Sequence, residues 1–207
     1  MSKDITIGID EAGRGPLAGP VSIGMFATDN KRALWILKNL FENNLRDSKK
    51  LSEKKREEIY KKLLILKKQN LVYFSVSHTS NKIIDKYGIS YAINLGINKS
   101  LNNLHSFYGR KKSVMSIKLD GLLKAPREYA KQETIIKGDE KNIYIACASI
   151  VAKVSRDRLM CRLALKYPEY SFEIHKGYGT LLHTRLIAKY GLSKIHRASF
   201  CKRFCIF

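Results

Sequence analysis

The sequence predicts an α/β fold, a mixed β-sheet flanked by helices and followed by a helical C-terminal segment from about residue 181. Three observations predict it. Two short β-prone runs, 4–9 (DITIGI) and 21–27 (VSIGMFA), precede any helical pattern. From residue 52 onward, stretches of helical and strand period alternate, as expected of a sheet covered by helices. No internal repeat or low-complexity linker divides the chain, so residues 1–207 are expected to form one domain.

The elements follow in order. Between the first two strands lies DEAGRGPLAGP, whose glycines and prolines suit tight turns. Ser52 is placed to cap a helix over about 53–66, with Ile59, Leu63 and Leu66 on one face. LVYFSVS at 71–77 reads as a strand, and about 80–102 as a helix carrying Ile84, Tyr91, Leu95 and Leu101. SVMSIKLD at 113–120 is a strand that ends on an aspartate, and Thr134, Ile135 and Ile136 form a short strand before Lys137-Gly138-Asp139. A helix then spans about 145–166, stopped by Pro168, and the C-terminal third reads as helical and very basic.

Composition narrows the function. Lys and Arg number 39 against 18 acids, a formal charge of +21. Such an excess favours polyanionic partners, because basic groups near phosphates release condensed counterions; a generally basic proteome is the alternative. No apolar run approaches the ~18–20 residues that span a bilayer, and the acids at Asp4, Asp10 and Glu11 leave no room for a signal peptide's apolar stretch. Four cysteines (Cys147, Cys161, Cys201, Cys205) lack the spacing of a disulfide scaffold. Reduced thiols, a cytoplasmic location and a monomer are expected. Cys201 and Cys205, four apart, read as packing residues rather than metal ligands.

Acids fall where strands end: Asp10 and Glu11 after the first, Asp120 after the fourth, Asp139 after the fifth. Strand ends in open α/β sheets commonly converge on one crevice. Clustered carboxylates repel one another unless a cation intervenes. That cation is either a metal ion or, in so basic a chain, a Lys or Arg. Oxygen-only ligands favour Mg²⁺ or Mn²⁺, and no His or Cys lies within four residues of these acids, which argues against zinc. Adjacent residues on a strand point to opposite faces, so Asp10 and Glu11 are expected to share a site only if the chain turns there, a turn that the following Ala-Gly-Arg-Gly-Pro is suited to make.

Gly13-Arg14-Gly15-Pro16 is not a nucleotide-triphosphatase loop, since it lacks the Lys-Ser/Thr pair and is followed by a strand. Its glycines permit close backbone approach to a sugar or phosphate. Asp157, between Arg156 and Arg158 in mid-helix, reads as an ion-paired structural acid. Lys49 and Lys50 are candidates for phosphate contact or for a solvated pair. His175 and His183 read as packing or surface groups rather than as acid–base catalysts.

Seven ordered blocks make the match specific. IGIDEAGRGPLAGPV at 7–21 resembles the N-terminal signature of the ribonuclease HII family, followed by DSKKLS (47–52), LDG (119–121), KGD (137–139), ASIVAKVSRD (148–157), HKGYGT (175–180) and IHRASF (195–200). The resemblance covers nearly the whole chain. It departs at Lys194, where proline is common, and at Cys147-Ala148, where an alanine pair is usual; neither touches the proposed chemistry.

This resemblance implies a ribonuclease H-like fold, with Asp10, Glu11, Asp120 and Asp139 as catalytic carboxylates holding a divalent metal, Mn²⁺ or Mg²⁺. It implies that the Gly13-Arg14-Gly15 backbone recognises a ribose 2′-hydroxyl, and that Tyr178 packs against the next deoxyribose; a half-buried loop tyrosine is the plainer alternative for Tyr178. The implied partners are RNA–DNA hybrids and DNA duplexes containing ribonucleotides. The implied reaction is two-metal-assisted hydrolysis 5′ to a ribonucleotide, leaving 5′-phosphate and 3′-hydroxyl ends. Competing readings are a non-catalytic basic nucleic-acid-binding protein and a deoxyribonuclease of the same broad fold.

Overall fold

The computed structural model describes residues 5–41, 51–109 and 114–202. Five strands, β1 (Ile5–Ala12), β2 (Val21–Thr28), β3 (Tyr73–Thr79), β4 (Met115–Asp120) and β5 (Gln132–Ile135), form one mixed sheet in the order β3-β2-β1-β4-β5. β2 is antiparallel to both β1 and β3, whereas β1, β4 and β5 run parallel. Every residue of β2 is buried, because the sheet is covered on both faces. The expected mixed α/β architecture is therefore what forms.

Seven α-helices are present among the described residues: α1 (Lys31–Leu40), α2 (Glu53–Lys68), α3 (Asn81–Tyr87), α4 (Ile89–Tyr108) and α5 (Ile143–Ala164) cover the sheet, while α6 (Phe172–His175) and α7 (Leu181–Tyr190) pack beyond it with α5 and the loop 17–18. One face of the sheet, with Ile7, Ile9, Ile23 and Met25, packs on Ile93, Ile97 and Leu101 of α4. On the other, Phe26 and Phe74 meet Leu37 of α1, Ile59 and Leu63 of α2, and Val151 of α5. α5 shows no single apolar stripe, because it is buried between the sheet and α2. It lies close enough to the sheet that a Cβ on Gly24 would stand 2.1 Å from the Ala148 carbonyl oxygen.

Local signals account for most boundaries. The Ser52 side chain caps α2 by accepting from the Lys55 amide at 3.2 Å, and Ile59, Leu63 and Leu66 are buried as expected. The helix expected over 80–102 is instead two helices, broken at Gly88 (φ 84°). That break resets the helical phase, so Tyr91 and Leu95 are 49% and 41% exposed, while Ala92, Ile93, Ile97, Leu101 and Leu104 form the core face. α1 was not expected; Asn30 caps it by accepting from the Ala33 amide at 2.9 Å. The C-terminal third is less helical than expected, with α6 only four residues long and loops between α6, α7 and the segment to 202.

Candidate active site

Parallel pairing of β1 with β4 and of β4 with β5 brings three strand ends to one edge. The register Ile9↔Leu119 sets Asp10 beside Asp120, and Asp120 pairs with Ile135 just ahead of the turn Gly138–Glu140 that carries Asp139. The Gly138 amide donates to Asp120 Oδ1 at 2.6 Å, tying that turn to β4. Asp10, Glu11, Asp120 and Asp139 line one cleft of about 390 Å³ together with Gly13, Arg14, Gly15 and Tyr178. Sequence reasoning thus named eight of its lining residues. Lys49 and Lys50 lie outside the described residues.

The chain turns within the Ala-Gly-Arg-Gly-Pro stretch that suits it, just beyond the two acids rather than between them. β1 keeps its pairing with β2 through Ala12↔Ser22, and the chain turns only at Gly13 (φ 85°). Near a strand's end, side chains from both faces reach the same sheet edge, so no turn between them is needed. Asp10 lies on the α5 side, where the Ser149 hydroxyl bonds it, and accepts from the Glu11 amide at 2.7 Å. Glu11 pairs with Arg14, whose Nε stands 3.0 Å from its Oε1.

Burial raises the pKa of Asp10 well above the ordinary carboxylate range, and the negative charges of Asp120 and Glu11 raise it further. Glu11 is raised too, chiefly by burial; Arg14 opposes that rise and Asp120 adds to it. A cation among these acids would reverse the repulsion. The donor set fits Mg²⁺ or Mn²⁺: four carboxylates line the cleft, and among the described residues no His or Cys does. Among the described residues no three His, Cys, Asp or Glu side chains are gathered into a finished metal cage. Mg²⁺ does not require one, since it keeps several waters and takes substrate phosphate oxygens as ligands.

Sequence reasoning missed Arg56, Ser149 and Lys153, which also line the cleft. Arg56 comes from α2 and donates to the Leu51 carbonyl; Ser149 and Lys153 lie one turn apart on α5. Lys153 bridges two features: its Nζ is 2.9 Å from Asp157 Oδ1 and 5.6 Å from the Tyr178 ring centroid. Asp157 is thus the ion-paired acid expected, though its partner is Lys153 rather than either flanking arginine. Arg158 pairs with Glu57 at 2.5 Å.

The loop 13–20 is held from behind. Arg156 donates to the carbonyls of Pro20 (3.1 Å), Ala18 (3.2 Å) and Lys176 (3.0 Å). Arg197 donates to those of Gly19 (3.0 Å), Arg14 (2.8 Å) and Gly13 (2.6 Å). A Cβ on Gly13 would stand 2.0 Å from Arg156 Nε, so this position requires glycine for space as well as for its φ. The loop bearing Tyr178 docks here too, the Gly177 carbonyl accepting from the Leu17 amide at 2.8 Å.

His175 and His183 are packing groups, as expected, and lie outside the cleft lining. Their rings stack at 4.1 Å, and Nε2 of His183 is 3.0 Å from Nε2 of His196. One of that pair must donate and the other accept, so at least one is neutral. Cys201 is likewise buried, packed beside Leu17 and Ile187; Cys205 lies outside the described residues.

Comparison with known proteins identifies the family and the fold. Ribonuclease HII of Caldicellulosiruptor bescii is 44% identical over 94% of this chain and 85% of its own length. The crystal structure of ribonuclease H2 from Pyrococcus horikoshii OT3 superposes with a TM-score of 0.71 at 25% identity, covering 98% of this chain and 100% of that one. Bst-RNase HIII, solved in complex with Mn²⁺, has a TM-score of 0.71 at 17% identity over 97% of this chain and 68% of its own, and so shares the fold. The family model for ribonuclease HII matches residues 7–203. Asp10 and the loop behind it are thus part of a chain that belongs to the ribonuclease HII family.

Proposed function

We propose that this ribonuclease H hydrolyses the RNA strand of RNA–DNA hybrids and cuts 5′ to ribonucleotides embedded in duplex DNA, using divalent metal held by Asp10, Glu11, Asp120 and Asp139. One observation carries the reading: a parallel sheet register gathers the four acids into the same cleft as the Gly13-Arg14-Gly15 backbone. Acids at the floor of a cleft would repel phosphate without a cation, which disfavours a non-catalytic binder.

Asp10, Glu11, Asp120 and Asp139 would hold divalent ions, Mg²⁺ or Mn²⁺, which when bound would lower the pKa of an attacking water and offset charge on the departing 3′-oxygen. The chain's own residues do the rest. Asp10 and Asp120, adjacent by register, are placed to hold the ions, with Glu11 and Asp139 completing the donor set. The Gly138 amide orients the Asp120 carboxylate, and the Ser149 hydroxyl orients that of Asp10. Backbone groups of Gly13, Arg14 and Gly15 reach the ribose 2′-hydroxyl, the atom by which proteins tell RNA from DNA. Tyr178, 41% exposed at the cleft edge, offers its ring to the neighbouring deoxyribose. Arg56 and Lys153 face the phosphates, which position the strand without reading its bases. Cleavage leaves 5′-phosphate and 3′-hydroxyl ends.

A duplex carrying one ribonucleotide tests this reading. With Mg²⁺ or Mn²⁺ a single cut 5′ to the ribonucleotide is expected, abolished by EDTA; turnover in chelator, or equal cutting of an all-DNA duplex, contradicts it.

A further inference from the structure

Two fully buried arginines, Arg156 and Arg197, lie against the loop that faces the catalytic cleft, and among the described residues neither donates to a carboxylate. Burying a guanidinium is costly unless its N–H groups are satisfied. Arg197 meets that cost with three backbone carbonyls, all from residues 13–19. Its own segment is anchored independently of the cleft. Asn81 Nδ2 donates to the carbonyls of Lys194 (3.1 Å) and His196 (2.9 Å), and the Asp85 carboxylate accepts from the amides of Ala198 (3.1 Å) and Ser199 (3.0 Å).

The consequence follows from peptide geometry. In a planar trans peptide the C=O and the following N–H point in opposite directions. Arg197 holds the carbonyls of Gly13 and Arg14, so the N–H groups of Arg14 and Gly15 point away from the guanidinium. Arg197 is absent from the cleft lining, whereas Gly13, Arg14 and Gly15 all belong to it. The guanidinium therefore decides which side of these two peptides the substrate meets: donors rather than acceptors.

We propose that Arg197 is a positioning residue for ribonucleotide recognition, fixing the two peptides that follow Gly13 and Arg14 so that their N–H groups face the sugar-phosphate of the substrate. This rests on the reading of the loop as the sugar sensor. Lysine at 197 keeps the charge but cannot span two carbonyls as a planar fork does. Discrimination should suffer more than general duplex binding, because Arg197 itself touches no phosphate.

The test compares wild type, Arg197→Lys and Arg197→Gln. For each, KM and kcat are measured on a duplex with one embedded ribonucleotide, and Ki for an all-DNA duplex of the same sequence as competitor. A loss of folded protein lowers apparent kcat and leaves KM and Ki alone. The expected result is that Ki/KM falls about tenfold in both variants, the size of one lost hydrogen bond at the sugar. Gln serves as the second variant should Lys fold poorly. An unchanged ratio in a variant that still cleaves removes Arg197 from recognition. Failure of wild type to cleave the ribonucleotide duplex instead overturns the reading of the site itself.

Discussion

Asp10 is held where its negative charge is least comfortable, buried on the sheet and flanked by Asp120 and Glu11. A residue so placed needs a cation, and among the described residues the basic groups of the cleft are engaged elsewhere: Arg14 by Glu11, Lys153 by Asp157, and Arg56 by the Leu51 carbonyl. The same logic gives Asp120 its role. Asp120→Asn keeps the side chain's shape and its contact with the Gly138 amide but removes a charge from the metal site. We expect kcat to fall about a thousandfold, the loss of several kcal/mol of charge stabilisation, with duplex affinity nearly unchanged. A variant that retains near-normal kcat removes Asp120 from the chemistry. The carboxylates were legible in the sequence because each sits at a strand end within a specific block. Arg197, Arg156, Ser149 and Lys153 lie in quoted blocks as well, yet no role could be read for them. The partners of Arg197, Arg156 and Ser149 are remote in the chain, and Lys153, though paired with Asp157 one turn away, meets Tyr178 and the cleft only through the fold.

At the scale of elements, the seating of α5 on β1 and β2 governs the site. Asp10 pairs across the sheet with Gly24, and that bare position lets α5 approach closely enough for Ser149 to bond Asp10. In Gly24→Ala the new methyl meets the Ala148 carbonyl, so α5 must lift. Overpacking of this kind costs about 1–3 kcal/mol. Urea denaturation should register that loss, accompanied by reduced kcat; unchanged stability would show that the close contact is not needed. Strand β2 and helix α2 were legible from pattern and cap. The split between α3 and α4 was not, because Gly88 inside an apolar helical pattern reads equally well as a tolerated glycine. α1 escaped because its exposed Trp35 and scattered lysines blur its apolar face, although the Asn30 cap was there to be read. β5 sits two residues earlier than expected at its start, and its register with β4 rather than its apolar content sets its ends.

Across the whole molecule, the C-terminal segment binds the loop 13–20 to the scaffold beside a core that includes three neutral-leaning histidines. Burial pushes His183 and His196 down to about 4, and lowers His175 as well. Unfolded histidine titrates at about 6.5, so between about 6.5 and 4 these two histidines bind more protons in the unfolded chain than in the folded one, while the raised Asp10 and Glu11 act in the opposite sense. The stability these histidines contribute should therefore be lost as pH falls through that window and level off below it. Thermal melts from pH 7.5 to 4 should show Tm dropping steadily, with a shallower drop in His196→Gln; an identical slope in the variant would remove this cluster from the effect. The formal charge of +21 acts at the same scale, drawing a polyanion to the surface while the acids stay at the floor of one cleft.

Those acids sharing divalent ions is the claim on which the rest depends, and Mn²⁺ can be located directly by anomalous diffraction from crystals soaked in it. The expected peak lies in the cleft within direct coordination distance of Asp10 and Asp120, and is lost in Asp10→Asn. Mn²⁺ bound elsewhere, or bound equally well in that variant, would contradict it.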